Sequence, residues 1–568
     1  MVTSVAKRIE ENLLPPPDEL VWSQGHLERL SFSSPQKICY FALNLLKLVG
    51  NIGLLSVALP YSLVKTLALR AITLFQGNDC PSAVPPGPID PAALPRHFGF
   101  ADSLFQTSGL GTTASPTVTP GLSNWNPWLT PEHIEGTEDR NYKKFFFEVL
   151  SQAQPYVDLL KRGMNVTAHR ISLEWSILQP TPGTYDPHAI DLYKNLFRLF
   201  KENGIPVEPY VTGCHFVCPE WFQKMGSFDK IENIYLYKNH LLRMMEIFPE
   251  ITHWMPFNEI NVEGFQSCVR GVYPPGRKGD LVGDAKRMRN MLIAHILIYK
   301  EAKERWPHLQ IGSTHQWLNF EALEGNWLER IICYFLSKIT HYACYNFYKT
   351  GRFSLQIPGQ VNVQFTVPEA EFKRYNGFND TTNVQFYGYP RLKAGFNGGH
   401  KYPGYKVINW VFGKFGLTFG STCPRGGKMM SFGPSIYPES LEKCLQEATA
   451  LGKKIVFSEI GVDATIQKDG EDHFKLDEET QRHYFEQIWP TLSKYREWLD
   501  GFFVWTLARG HLEWDRGNTP RLGVVDIMKD RERRIVGHRL SPAALLIQRV
   551  YGEKRDELLR SGALRSAA

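Results

Sequence analysis

From His97 onward, short apolar runs rich in β-branched and aromatic residues alternate with longer segments whose apolar positions recur every three or four residues. Such alternation predicts a parallel α/β fold in which each strand is followed by a helix that crosses back over the sheet. Eight strands are predicted, over Phe98–Ser103, Val166–Ser172, Val207–Thr212, His253–Asn258, Gln310–Thr314, Thr382–Phe386, Lys454–Ser458 and Phe502–Trp505. The intervals hold helices such as Ile190–Asn203, stopped by Gly204, Ala285–Arg305, stopped by Trp306-Pro307, and Glu479–Tyr495. Eight such units predict a closed (β/α)8 barrel. The stretches Gly325–Tyr375 and Pro390–Ser435 are longer than barrel connections need, and are expected to lie over the active face.

The first hundred residues follow another pattern. A polar segment, 1–35, carries Pro15-Pro16-Pro17; an apolar helical segment, 36–76, follows; then comes a Pro-rich linker, 77–96, before the barrel at 97–552 and a tail at 553–568. Leu48 to Val64 is a run of 17 uncharged residues between Lys47 and Lys65, at the lower limit of the ~17–25 that span a bilayer. With Pro60 inside the run and Lys47, Lys65 and Arg70 placed to snorkel, the segment fits a span, a membrane-embedded hairpin or interfacial helix, or a helical pair packed on the barrel. It begins too far from Met1 for a cleavable signal peptide.

Composition narrows the function. With 43% hydrophobic and 21% charged residues, the 568-residue chain can bury a large core. The net charge of +6 is small, and basic residues are interspersed with acidic ones, so nucleic acid is not an expected partner. The nine cysteines are scattered and odd in number, with no Cys-x-x-Cys pair; reduced thiols and a location on the cytoplasmic side are expected. Cys214, His215 and Cys218 lack a distant ligand pair, so no metal is expected, and no cofactor.

In such barrels chemistry gathers at the C-terminal ends of the strands. Gln106 follows the first predicted strand, Arg170 lies in the second, His215 follows the third, Asn258-Glu259 close the fourth, Tyr387 follows the sixth, Glu459 the seventh, and Trp505 with Glu513-Trp514 mark the eighth. Glu259 and Glu459 thus end strands that face one another across a closed barrel. Two carboxyl groups about 5–5.5 Å apart on either side of a glycosidic bond give hydrolysis with retention through a covalent intermediate. Glu459 should be ionised to attack, supported by Arg170 or Tyr387. Glu259 should begin protonated, its pKa raised by the charge of the other carboxylate. A Glu at a strand end can also be a plain salt-bridge partner, and a Trp there plain core.

The segment from His97 to about Val550 resembles glycoside hydrolase family 1, the β-glucosidase and β-galactosidase family. The resemblance is carried by Phe98-Gly99-Phe100-Ala101 through Gln106, by His169-Arg170-Ile171-Ser172-Leu173-Glu174-Trp175-Ser176, and by Glu208-Pro209-Tyr210-Val211-Thr212 leading to His215. Phe257-Asn258-Glu259, Val456-Phe457-Ser458-Glu459-Ile460-Gly461, the run from Gly501 to Leu507 with Glu513-Trp514, and Arg521 to Asp526 complete it. The resemblance implies a TIM barrel acting on a β-glycoside, with Glu259 as acid/base, Glu459 as nucleophile, and Arg170, Tyr387 and Asn258 in support. It implies that Gln106, His215, Gln385, Trp505, Glu513 and Trp514 bind the sugar.

The sequence departs from the family pattern at four positions: Ile260 replaces Pro after the acid/base, Ile460 replaces Asn after the nucleophile, Phe216 replaces Trp beside the sugar-binding His, and Gln385 replaces Asn before Tyr387. Between Trp505 and Glu513 the chain has one residue more than the common spacing and reads Ala508-Arg509-Gly510-His511, so glycone contacts there are expected to shift. A glycolipid transglycosidase and a catalytically weak glycan-binding relative are the alternatives.

Overall fold

The computed structural model describes residues 18–23, 26–30, 89–112, 121–130, 133, 146–202, 204–357, 359–396, 417–514 and 520–565. The apolar segment 36–76, and with it the expected membrane contact, lies outside these residues. Among the described residues no helix is long and apolar enough to cross a membrane.

The protein is a (β/α)8 TIM barrel. Its strands are His97–Asp102, Ala168–Ser172, Glu208–Cys214, His253–Phe257, the pair Gln310–Ile311 and Thr314–Gln316, Thr382–Phe386, Ile455–Ile460 and Leu499–Trp505. All neighbours pair in parallel, and the eighth pairs with the first, Phe502 opposite Phe98 and Trp505 opposite Ala101. The fifth strand is not the continuous Gln310–Thr314 of the sequence reading. It breaks at Gly312-Ser313: its first half pairs with the fourth strand and its second half with the sixth. A Cβ on Gly312 would come within 2.6 Å of the Asn383 side-chain amide and 3.0 Å of the Thr381 carbonyl, so a larger residue would have to push the Asn383 side chain aside. The seventh strand runs to Ile460, so Glu459 lies within it, in register with Gln385 of the sixth.

Helices wrap the barrel as the periodicity predicts. In Pro187–Lys201 the proline occupies the first turn, where its missing N–H costs nothing, and Asp186 accepts from the His188 and Ala189 amides. Its buried stripe of Tyr193, Leu196, Phe197 and Phe200 faces the sheet. The helices expected at 285–305 and 479–495 are Leu281–Arg305 and Glu478–Lys494. The tail expected from 553 is instead a continuation of the helix Pro542–Arg560, which buries Lys554 and Leu558.

Two sequence expectations about the periphery change. Part of the segment read only as polar forms strands Asp18–Ser23 and His26–Leu30, paired antiparallel, with the first added in parallel to Val361–Thr366. That partner belongs to a hairpin, Arg352–Ile357 with Val361–Thr366. The hairpin therefore lies against the helix Leu281–Arg305, and none of the described residues of 325–375 lines the active cleft. The end of the Pro-rich linker is likewise docked: Leu94 is buried, and Trp489 Nε1 donates to the Asp90 carbonyl at 2.8 Å.

The N-terminal strand is held by alternation. Leu20 and Trp22 point inward, at 6% and 3% exposure, while Asp18 pairs with Lys286 at 2.9 Å and Arg289 at 3.1 Å. Lys300 lies 5.1 Å from the Trp22 ring centroid. Trp22→Ala should cost about 3–5 kcal/mol, the usual loss for a buried tryptophan. Since the loss falls on a peripheral sheet, it should appear as faster amide exchange in 18–30 and 352–366, with the barrel strands unchanged. Equal exchange in both proteins would mean that Trp22 does not anchor the sheet.

Candidate active site

A cleft of about 680 Å³, its open mouth included, lies at the C-terminal ends of the barrel strands. His215, Asn258, Glu259, Tyr387, Glu459, Trp505, Glu513 and Trp514 line it. The three other predicted site residues stand behind this wall. Arg170 reaches Glu459, Gln385 reaches Asn258, and Gln106 reaches Glu513.

Each carboxylate has a distinct setting. Glu459 is 3% exposed; Arg170 Nη1 donates to its Oε1 at 2.5 Å, and the Tyr387 hydroxyl donates to its Oε2. Burial pushes the Glu459 pKa up to about 7, and the Arg170 charge and the Tyr387 hydrogen bond restrain it. Glu259, at the N-terminus of the short helix Ile260–Gly264 with φ of 31°, is held far above the carboxylate range, first by burial and then by the charge of Glu459. The sequence reading attributed the Glu259 shift to the facing carboxylate; burial contributes more to it than that charge does. Both Arg170 and Tyr387 donate to Glu459, which favours its ionised form.

The Asn258 side chain is oriented by two donors. Arg170 Nη2 and Gln385 Nε2 both reach its Oδ1 at 2.7 Å. With the carbonyl end held twice, the amide NH2 is the end left for a ligand. His215 stacks on Trp505, with ring centroids 5.5 Å apart and planes 21° from parallel. Burial and the Arg170 charge keep its pKa well below the ordinary value, so it meets a ligand as a neutral ring. Trp514 is packed by Phe105 at 5.3 Å and Trp125 at 4.5 Å. Glu513 accepts from His511 Nε2 at 2.6 Å and from Gln106 Nε2 at 3.5 Å.

The departures sit quietly in this frame. Ile260 is the first residue of its helix, a position that accepts proline or an ordinary residue alike. Ile460 is fully buried between Phe386 and Val504. Phe216 keeps its carbonyl on Trp125 Nε1 at 2.9 Å and packs on Trp514 at 5.3 Å.

Sequence reading missed part of the wall: Val262, Gln266, Arg270, Tyr273, Gln316, Phe432 and Leu522. Val262, Gln266 and Arg270 follow Glu259 at helical spacing, a signal that was present in the chain. Gln316 became a wall residue through the broken fifth strand, which periodicity does not forecast, whereas Phe432 comes from the 390–435 connection that was expected over the active face. Among the described residues there is no cluster suited to a metal ion.

The profile of glycosyl hydrolase family 1 matches residues 92–538, and the chain belongs to that family. It is a glycoside hydrolase, a β-glycosidase by family. Solved structures share the fold at low sequence identity. A β-glycosidase from Pyrococcus horikoshii superposes with a TM-score of 0.62 at 19% identity, over 83% of this chain and 97% of its own. A psychrophilic β-glucosidase from Micrococcus antarcticus gives 0.63 at 17%, over 82% and 98%. A rice β-glucosidase mutant in a covalent complex with Glc gives 0.64 at 15%, over 82% and 99%.

Proposed function

We propose that this protein is a retaining β-glycosidase of the β-glucosidase type, working by double displacement through Glu459 and Glu259. The observation that carries the reading is the unequal pair in one cleft. Glu459 is gripped by Arg170 and Tyr387 as an anion, while Glu259 is buried without such support and stays protonated. The Glu459 oxygen forms a bond to the anomeric carbon as the glycosidic C–O bond breaks, and the departing oxygen takes the proton of Glu259. Water then attacks the same carbon, its proton passing to Glu259, and Glu459 is released. That a rice enzyme of this fold was captured in a covalent complex with Glc supports the intermediate.

The remaining residues bind and orient the sugar. The Asn258 amide meets the hydroxyl next to the anomeric carbon, neutral His215 and Glu513 bind others, and Trp505 and Trp514 offer ring faces and an indole N–H. Gln106 and Gln385 serve mainly by holding Glu513 and Asn258, though Gln106 Oε1, buried and without a partner among the described residues, is left for a further hydroxyl. The complete set around Glu459 favours catalysis over mere glycan binding. Incubation with 2-deoxy-2-fluoro-β-glycosides, gluco and galacto, followed by peptide mass analysis, tests this. A glycosyl adduct on Glu459 is expected; folded protein that forms none with either sugar would leave the glycan-binding reading.

A further inference from the structure

The turn after the eighth strand is one residue longer than the family spacing, and it folds the His511 ring against Glu513. The ring is 1% exposed. Its Nδ1 lies 3.0 Å from the Ala508 carbonyl oxygen and its Nε2 lies 2.6 Å from Oε2 of Glu513. Both neighbours accept hydrogen bonds, and a ring nitrogen facing an acceptor must carry a proton. A neutral imidazole carries one proton only, so opposite an ionised Glu513 this ring is an imidazolium.

We propose that His511 is a positioning residue: as an imidazolium it holds one oxygen of Glu513, leaves the other as the carboxylate acceptor offered to the sugar, and thereby ties sugar affinity to pH. The inference rests on Glu513 binding the sugar of a β-glycoside. Among the described residues, the groups that act on the ring come from three directions. Glu513 and the Ala508 carbonyl flank it, Asp102 of the first strand adds a second acid, and Trp505 meets it edge-on at 5.7 Å. Arg509, on the same turn, is committed elsewhere, to Glu478 and the Gly523 carbonyl. Gln106 reinforces the arrangement by donating to the same Glu513 oxygen and, at 3.0 Å, to the Leu512 carbonyl.

Burial alone would discharge His511, but Glu513, the Ala508 carbonyl and Asp102 overcome it and hold its pKa above the ordinary 6.5. Asp102, itself pushed up by burial to about 6, is charged over the range in which His511 titrates. As pH rises through that range, Nε2 loses its proton and two acceptors face each other across 2.6 Å. The grip on Glu513 is then lost, and the sugar binds more weakly.

The test combines histidine NMR with kinetics on 4-nitrophenyl β-glucoside. One 13Cε1 histidine resonance, absent in His511→Gln, should titrate above the ordinary 6.5 of a free imidazole. Over the same range KM of the native enzyme should rise by about tenfold, the scale of a lost charge-assisted hydrogen bond. His511→Gln, with a neutral N–H in place of the charge, should keep KM flat with pH. His511→Leu should raise KM about tenfold even at pH 6, with kcat nearly unchanged, as expected when ground-state and transition-state binding fall together. A ring that is already neutral above pH 6.5, or a native KM that does not follow its titration, overturns the proposal. Should the leucine variant fail to fold, the native titration and the glutamine variant still decide. Turnover with a flat native KM sinks this inference alone, whereas no binding or turnover of any β-glycoside, with His511 titrating as described, sinks the glycosidase reading along with its sugar-binding half.

Discussion

Glu459→Gly should lower turnover of aryl β-glucosides by on the order of 10⁵-fold, the scale of deleting a covalent nucleophile, and azide should restore a measurable part of it. The variant keeps Glu259 protonated to assist the leaving group, since burial, the first cause of its raised pKa, does not depend on Glu459. It also opens space between Arg170 and Tyr387, both of which lose their carboxylate partner. An azide ion entering there meets Arg170 as a counterion and stands opposite the departing group. One displacement gives a glycosyl azide of inverted, α configuration, readable by NMR of the product. Azide that fails to restore turnover to correctly folded protein, or a β product, would count against Glu459 as nucleophile. Part of the loss will come from Arg170, which is 1% exposed and is left with Asn258 as its remaining side-chain oxygen acceptor. A melting curve beside the kinetics separates that loss of stability from loss of the nucleophile.

The barrel was legible in the chain because its strands are buried on both faces and read as apolar runs, with helical periodicity between them. Boundaries slipped where backbone geometry, not side-chain pattern, sets the end. Nothing in the apolar pattern of Gln310–Thr314 announces the break at Gly312-Ser313, where the strand changes partner from the fourth to the sixth. The N-terminal strands were missed for another reason. Among the described side chains of the strand, Leu20 and Trp22 are the buried ones, and their partner strand is more than three hundred residues away. At the site, the side chains that meet around the cleft were legible, because the carboxylates, Arg170 and Tyr387 fall at strand ends. What the sequence could not give was depth. Gln106 and Gln385 look like direct sugar ligands in one dimension, and the fold adds that each also donates to a neighbour in the site, Glu513 and Asn258. The extra residue before Glu513 reads as an irregularity, and only the folded turn shows that it brings a second ionisable ring to that carboxylate.

Glu259→Ala should behave differently from the nucleophile variant, because the two residues act at different bonds. Its loss removes proton donation, which contributes about 10²–10⁴-fold in rate when the leaving group needs it. Turnover of alkyl and weakly acidic aryl β-glucosides should fall by that factor, while formation of the glycosyl-enzyme from a 2,4-dinitrophenyl glucoside should be little changed, since that leaving group departs without a proton. The pH profile supplies the second readout. In the native enzyme the acid limb requires ionised Glu459, whose pKa burial pushes up to about 7, and the alkaline limb requires protonated Glu259, held higher still. Activity therefore falls as pH rises through the higher value of the pair, and the apparent constants belong to the pair as a whole. In Glu259→Ala the alkaline limb attributable to this acid should vanish and the acid limb remain. Azide again discriminates: it enters on the side vacated by Glu259, attacks a sugar already inverted once by Glu459, and yields a β-glycosyl azide. Equal losses on good and poor leaving groups, or an alkaline limb that survives the substitution, would remove Glu259 from the proton-donor role and leave its raised pKa as a consequence of burial alone.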